Sequence, residues 1–173
     1  VVELCRTRLP EKMHIPAESI QVLTATRKGD TGTAALNRAL QAALNPAGMG
    51  RREKRFGDLV FREGDRVMQT RNDYDVVWQK EDGTAGTGIF NGDVGKIAKI
   101  DPSGELLEIV FDDRTATYTS DMLAELDMAY AMTVHKAQGS EYRGVVFIGA
   151  PCAPSLMVRG VLYTAITRAR ELL

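Results

Sequence analysis

The chain has 173 residues, of which 44% are hydrophobic and 26% are charged, and its formal net charge is −1. This size and composition predict a soluble globular protein with one sizeable core, or one core and a small satellite. They exclude a membrane-spanning chain, since no apolar run is long enough to cross a bilayer. The charge does not fit DNA binding by bulk electrostatics, but a protein that holds a few phosphates in a groove needs only local positive charge.

Cys5 and Cys152 have neither the spacing of a metal site nor the pattern of a disulfide framework. The sequence also has no signal-peptide pattern. We therefore expect a reducing compartment, the cytoplasm, and no metal site built by this chain.

The first part of the chain predicts an α/β arrangement. Residues 1–13 resemble a helix end that runs to Pro10, and residues 20–24 form a short apolar strand. A helix follows, because leucines recur at every fourth position until Asn45 and Pro46 end it. Asp30 or Thr31 is predicted to cap the start of this helix.

The middle of the chain predicts β structure. Residues 48–55 indicate a basic, glycine-containing linker whose charged side chains we expect to be solvated. From about Asp58 onward, short β-type runs alternate with glycine-containing turns, and the predicted strands are residues 66–70, 95–100, 106–111 and 116–119. Strands this short and closely spaced suggest a small barrel.

After Leu126 the α/β pattern returns. The apolar run 128–132 predicts a buried strand that ends in a polar loop, 133–141, and residues 144–148 predict another buried strand. Ligands of open α/β sheets bind at strand ends, where a glycine lets the backbone approach a phosphate. The segment 162–170 predicts a helix with one apolar stripe, and Arg168 lies on the flank of that stripe, where a guanidinium is suited to contact a phosphate.

Several segments resemble motifs of superfamily 1 DNA helicases, specifically the RecD-like branch. Thr133-Val-His-Lys-Ala-Gln-Gly-Ser-Glu141 resembles motif V, and Tyr163-Thr-Ala-Ile-Thr-Arg-Ala-Arg170 resembles motif VI. The region around 21–29, with Gly32, Leu36 and Asn37, is similar to the motif IV region. Residues 63–74 and 90–95 resemble a small β-barrel that RecD-like proteins insert into their second motor domain.

The resemblance implies a fold and a domain organisation. The expected fold is a RecA-like parallel-sheet α/β motor domain, the second helicase domain, interrupted by a small SH3-like β-barrel. Residues 1–56 and 126–173 would form the motor domain, known in the family as 2A, and residues 57–125 the inserted barrel, 2B.

No phosphate-cradling G-x-x-x-x-G-K-[ST] loop is present, and the nearest run, residues 92–96, has the wrong spacing. In the family that loop and the groups that hold Mg²⁺ belong to the first motor domain, upstream of Val1. We therefore expect a fragment that hydrolyses ATP negligibly by itself, because phosphoryl transfer needs the metal and the phosphate loop as well as an arginine.

The resemblance also implies roles for nucleotide-binding residues. Arg168 would reach the γ-phosphate as the catalytic arginine, Gly139 would meet the nucleotide through its backbone, and Glu141 would bind the ribose hydroxyls. Arg27 is a weaker candidate for a phosphate contact, because Arg-Lys-Gly after a strand also fits a plain turn. For Arg168 the alternative is a surface arginine on an amphipathic helix.

A second group of residues is implied in binding single-stranded DNA. Thr133, His135 and Lys136 match positions that contact DNA phosphates, although His135 also fits a helix cap. In the barrel, Arg71 and Asn72 stand beside aromatic residues, a combination that suits backbone contact and base stacking. Two alternatives stay open there: the aromatic side chains Tyr74 and Trp78 fill the barrel core, and Asn72 sets a turn.

Two function classes follow. The first is an ATP-driven motor, fuelled by Mg²⁺-ATP, that moves 5′→3′ on single-stranded DNA in recombination or repair, with the first motor domain of the same parent and subunits of a nuclease–helicase complex as partners. The second is a non-catalytic nucleic-acid-binding or protein-binding module built around the barrel. Within the helicases, the Pif-like and conjugative relaxase-helicase branches share these motifs.

Overall fold

The computed structural model describes residues 1–48, 50–149 and 159–173 and divides into two compact units. Unit 1 comprises residues 1–46 and 130–173, and the insertion comprises residues 47–129. The helices are α1 (Leu9–Met13), α2 (Thr33–Leu44) and α3 (Arg159–Ile166), with a π-helical turn, Leu4–Arg8, before α1. The strands are β1 (Ile20–Thr24), β2 (Glu53–Phe56), β3 (Leu59–Arg62), β4 (Arg66–Gln69), β5 (Asp73–Gln79), β6 (Ala85–Ile89), β7 (Val94–Ile100), β8 (Leu106–Phe111), β9 (Arg114–Thr119), β10 (Leu126–Met128), β11 (Ala131–Thr133), β12 (Tyr142–Ile148) and β13 (Ala169–Leu172).

Unit 1 is built on a four-stranded sheet of order β11-β1-β12-β13, in which all neighbours are parallel. Every residue of the central strand β1 is buried. At the carboxyl end of β1, Thr24 lies opposite Thr133 of β11 and Ile148 of β12. The parallel α/β sheet with a β insertion confirms the predicted fold class.

Helix α2 covers one face of this sheet. It buries Leu36 and Leu40 in the apolar core of unit 1, as the leucine spacing predicts. The predicted cap is wrong, because the N-cap is Gly32 and no side chain caps the helix. A Cβ at Gly32 would lie 2.6 Å from the backbone of Arg27, so the tight approach of the preceding loop requires glycine there.

The end of the chain differs from the predicted helix. Helix α3 ends at Ile166, and Ala169 already belongs to β13, so Arg168 lies in the turn between them. The predicted apolar stripe is also wrong in part: Leu162 and Ile166 are 45% and 46% exposed, while Val161 and Ala165 are buried. Residues 169–172 form an edge strand because they pair with β12. A local helical periodicity cannot reveal a pairing between distant segments.

The insertion is an antiparallel structure with its own core. Seven strands form a sheet of order β10-β4-β7-β8-β9-β5-β6, and β2 and β3 form a separate hairpin. Its largest fully buried side chains are aromatic or branched aliphatic residues, including Phe61, Ile97, Ile109, Phe111 and Tyr118.

The borders of the insertion lie outside the predicted ones, at 46/47 and 129/130 rather than 56/57 and 125/126. Strand β2 pairs with β3, and β10 pairs with β4, so both flanking strands belong to the insertion. The predicted solvated linker is therefore partly strand, and Arg52 donates through Nη1 to the carbonyl of Ile100 at 2.9 Å.

No helix in the described part of the chain is long and apolar enough to cross a membrane.

Candidate nucleotide and nucleic-acid site

The loop 134–141 joins the two ends of the parallel sheet. It leaves the carboxyl end of β11 after Thr133 and enters the amino end of β12 at Tyr142. Thr133 and Ile148 both lie beside Thr24, and Tyr142 stands six residues before Ile148 on β12. The loop therefore runs back along the strand direction by roughly 20 Å, from the carboxyl ends to the amino ends of the strands. Successive turns shape it, with the amides of Ala137 and Ser140 donating to the carbonyls of Thr133 and Ala137 at 3.2 Å each.

Arg168 binds the far end of this loop. Its Nη1 donates to the carbonyl of Ser140 at 3.1 Å, and its Nη2 donates to Oγ1 of Thr167 at 3.2 Å. Its backbone carbonyl accepts from the amide of Tyr142 at 2.8 Å. The Nε is buried and finds no acceptor among the described residues, so one donor of this guanidinium is unsatisfied there.

Glu141 and Gly139 lie at the same end of the sheet, just before the amino end of β12. Glu141 accepts from Nε of Arg170 at 2.7 Å, and this ion pair is at the surface, since both side chains are more than half exposed. Gly139 has a φ of 86°, and within the part of the chain that the structure describes no atom lies within 4 Å of the position of a Cβ. The backbone there is open to a ligand, and its conformation favours glycine.

A second group of candidate residues lies at the other end of the parallel strands, after the carboxyl ends of β1 and β11. Thr133 is half-buried at the carboxyl end of β11, beside the loop that follows β1, and this loop carries Arg27 on its exposed side. Oγ1 of Thr24 donates to the carbonyl of Thr31 at 2.9 Å and holds the loop closed. Within loop 134–141, His135 is exposed and Lys136 is half-buried.

The structure thus separates one predicted set. Glu141, Gly139 and Arg168 come together at the amino ends of β12 and β13, but Arg27 follows the carboxyl end of β1. Arg27 therefore stays a predicted phosphate contact, and within this unit it follows the carboxyl end of β1, apart from the other nucleotide candidates. Sequence order alone could not indicate this, since β1 lies between β11 and β12 in space.

The predicted residues of the insertion are exposed. Arg71 and Asn72 lie in the loop before β5, and Oδ1 of Asn72 accepts from the amide of Asn91 at 3.0 Å, so Asn72 connects this loop to the segment after β6. Tyr74 is 65% exposed and stacks edge-on against Phe90, with ring centroids 5.5 Å apart. Phe90 was not predicted as a site residue; its position just before the Asn-Gly turn is the only sequence signal. Trp78 instead packs against the core of the insertion.

Comparisons with known proteins agree with this architecture. The SH3 domain of ATP-dependent RecD-like DNA helicases matches residues 36–111, and the UvrD-like helicase C-terminal domain matches residues 128–173. A Pif1 helicase from Bacteroides, solved in complex with ADP-AlF3 and single-stranded DNA, superposes with a TM-score of 0.56 at 17% identity, over 99% of this chain and 43% of that chain. The fold is therefore that of a helicase motor domain with a β insertion.

Two curated relatives make the assignment more specific. The ATP-dependent RecD2 DNA helicase of Deinococcus radiodurans is 38% identical over 153 residues, which is 88% of this chain and 19% of that protein. The RecBCD enzyme subunit RecD of Mycolicibacterium smegmatis is 30% identical over 150 residues, 87% of this chain and 24% of that protein. The chain belongs to the RecD-like superfamily 1 DNA helicases. It spans about a fifth of the length of these relatives.

Proposed function

We propose that this chain is the second motor domain of an ATP-dependent DNA helicase that moves 5′→3′ on single-stranded DNA in recombination or repair. The observation that carries the proposal is loop 134–141. It begins beside Thr133, a candidate DNA contact, and ends at Glu141, next to the Ser140 carbonyl that binds Arg168. One short segment therefore connects a nucleotide group to a DNA group on the same sheet.

The donors and acceptors at the amino ends of β12 and β13 fit a nucleotide. The guanidinium of Arg168 and the open backbone at Gly139 can both donate to phosphate oxygens, and the exposed carboxylate of Glu141 can accept from ribose hydroxyls. Arg168 is the catalytic residue of this set, since a fixed guanidinium offsets the negative charge that develops on a transferred phosphoryl group. Bound Mg²⁺-ATP supplies the phosphoryl transfer that drives movement, with the metal held mainly by the first motor domain.

The side chains that follow the carboxyl ends of β1 and β11 fit the sugar–phosphate backbone of a DNA strand. Thr133 contributes a hydroxyl, His135 an imidazole and Lys136 an ammonium group, all of which donate to phosphate oxygens. Arg27, on the exposed loop that follows β1, remains the weaker candidate for a nucleotide-phosphate contact. In the insertion, Arg71 contributes a further cation, and Asn72 holds the loop that presents it.

Coupling between the two groups follows from the loop that they share. A shift of Arg168 toward a phosphate would break or move its bond to Ser140, and the hydrogen-bonded turns of loop 134–141 carry that displacement toward Thr133. The partners in this proposal are single-stranded DNA and the first motor domain of the same parent. Assembly with nuclease–helicase subunits is proposed from the likeness to a RecBCD enzyme subunit.

The decisive experiment measures ATP hydrolysis by the full-length parent with and without single-stranded DNA. We expect DNA to stimulate the wild type, and Arg168→Ala to lower the stimulated rate by about 10³-fold while DNA binding is retained. Arg143→Ala is the matched control, because this exposed arginine of β12 pairs with Glu171 of β13 at 2.8 Å rather than with a residue of loop 134–141.

The outcomes separate the rival functions. A parent that binds DNA but shows no stimulated hydrolysis would replace the motor with the binding-module hypothesis. An active parent in which Arg168→Ala behaves like Arg143→Ala would remove only the role assigned to Arg168.

A further inference from the structure

Thr167 lies between the end of helix α3 and the start of β13, directly before Arg168. Its backbone amide donates to the carbonyl of Tyr163 at 3.0 Å, and the amide of Arg168 donates to the carbonyl of Ala165 at 3.2 Å. These two bonds continue the helical pattern past Ile166. The backbone that carries Arg168 is therefore held by α3.

The hydroxyl of Thr167 connects the same helix to the guanidinium of Arg168. Oγ1 donates to the carbonyl of Thr164 at 3.0 Å and accepts from Nη2 of Arg168 at 3.2 Å. Because a hydroxyl has one proton and two lone pairs, its donation to Thr164 leaves it as a pure acceptor toward the guanidinium. Thr164 lies in the last turn of α3, where carbonyls lack acceptable donors within the helix, so the bond also satisfies the helix end.

This connection restricts both the position and the direction of the guanidinium. Thr167 is half-buried, and its β-branched side chain is stiff at χ1. The guanidinium is a planar fork with fixed donor directions, so a bond at Nη2 also sets where its other donors point. The second bond of the fork, from Nη1 to the carbonyl of Ser140, ends on loop 134–141 instead of on α3.

We propose that Thr167 is a positioning residue for Arg168, and that its hydroxyl directs the guanidinium during phosphoryl transfer. The inference rests on the proposed function, in which Arg168 offsets the charge on the transferred phosphoryl group. When a shift of Arg168 breaks its bond to Ser140, the bond from Nη2 to Thr167 remains and limits where the guanidinium can go. Thr167 therefore acts on the rate of hydrolysis through Arg168, and not on the affinity for the nucleotide.

Two substitutions of Thr167 in the full-length parent test this role by DNA-stimulated ATP hydrolysis. Thr167→Val keeps the branched shape and removes the hydroxyl. We expect it to lower kcat about 10- to 100-fold, the effect of losing one hydrogen bond to a charged group, with KM for ATP changed less than about twofold. Thr167→Ser retains the hydroxyl and should keep kcat within about threefold of the wild type, since only the restriction on χ1 is relaxed.

Thr164→Val is the matched control, because this threonine is also half-buried and lies three residues earlier on α3. Its hydroxyl donates to the carbonyl of Gly160 at 2.8 Å, a bond within the helix. We expect its kcat to stay within about twofold of the wild type. Urea unfolding of each variant verifies that it is folded under the assay conditions.

A double-variant cycle with Arg168→Ala separates action through Arg168 from a general effect on α3. In the Arg168→Ala background, Thr167→Val should lower the residual rate by less than about twofold, because the group that it positions is gone.

Several outcomes would overturn the positioning role. They are a wild-type kcat in Thr167→Val, an equal loss in Thr167→Ser or in Thr164→Val, and losses that multiply in the double variant. If the wild type is stimulated by DNA and Arg168→Ala is not, the motor function stands in each of these cases and only the role of Thr167 falls. A wild type without stimulated hydrolysis overturns both.

Discussion

Asn37 is a buried amide whose role is structural, although it lies in the segment that resembles motif IV. Its Oδ1 accepts from the amide of Ala131 at 2.7 Å, and its Nδ2 donates to the carbonyl of Ala131 at 2.9 Å. These two bonds satisfy the outward-facing backbone groups of strand β11 and attach helix α2 to the strand that ends at Thr133.

We expect Asn37→Ala to lower the free energy of unfolding by about 1–3 kcal/mol, because it leaves the two backbone groups of Ala131 buried without partners. Urea denaturation followed by circular dichroism measures the loss. Arg38→Ala, one position along on the exposed face of α2, should change stability by less than about 0.5 kcal/mol. Equal losses in the two variants would contradict the structural role of Asn37.

Glu63 connects two backbone segments of the insertion. Its Oε1 accepts from the amide of Ile100 at 2.9 Å, and its Oε2 accepts from the amide of Arg52 at 3.1 Å. The bond from Ile100 foremost, and then the bond from Arg52, lowers the pKa of this carboxyl below its ordinary value of 4.5.

A carboxyl whose pKa is lower in the folded state stabilises the protein above its unfolded pKa, and this contribution is lost as the pH falls through the folded pKa. We therefore expect Glu63→Gln to be less stable than the wild type at pH ~7, and the difference to shrink progressively below about pH 4.5. Urea unfolding of both proteins over this pH range is the measurement. A difference that stays constant with pH would show that the ionised form of Glu63 contributes nothing.

Strands β5 and β6 depend on a small residue beneath the tryptophan. Trp78 lies opposite Gly86, where an added Cβ would be 2.5 Å from Cζ2 of the ring. The ring therefore lies directly on the backbone of β6.

We expect Gly86→Ala to destabilise the insertion by about 1–3 kcal/mol, because the added methyl group forces the ring out of its packed position. A shifted emission maximum of Trp78 should accompany the lower unfolding temperature. Gly160→Ala in α3 is the comparison, since no atom of the described residues lies within 4 Å of its Cβ position and alanine is the better helix former. If Gly86→Ala leaves both emission and stability unchanged, the close approach of ring and backbone is wrong.

The whole molecule consists of two units with separate cores, one made by strands and helices from both ends of the chain. In the insertion, a buried polar chain accompanies the apolar core: the hydroxyl of Tyr118 donates to Oε1 of Gln69 at 3.0 Å, and Nε2 of Gln69 donates to Glu125 at 2.9 Å. Burial raises the pKa of Tyr118, so the hydroxyl stays protonated and able to donate.

We predict that residues 47–129, expressed alone, fold into a stable β structure, because core and polar chain lie within this segment. Thermal unfolding followed by Trp78 fluorescence and by circular dichroism should show one cooperative transition, coincident for the two signals. A gradual loss of signal without a transition would mean that the insertion needs unit 1 to fold.

Much of the fold was accessible from local patterns. The all-apolar run of β1, the leucine spacing of α2 and the alternating segments of β7 and β8 specify their elements directly, because burial imposes a period on each. The weaker strands were missed: β2 is highly charged, and β5 and β6 carry exposed or glycine residues. Their pairing partners, rather than their own composition, make them strands.

The sequence by itself determined the membership of the family and the identity of the candidate site residues, since motifs V and VI are contiguous and chemically distinctive. Only the tertiary structure decided how those residues are grouped. It placed Arg168 in a turn bound to Ser140, and it placed Arg27 in the loop after the carboxyl end of β1. The physical reason is that the order of parallel strands is set by pairing between distant segments, which no local pattern of residues contains.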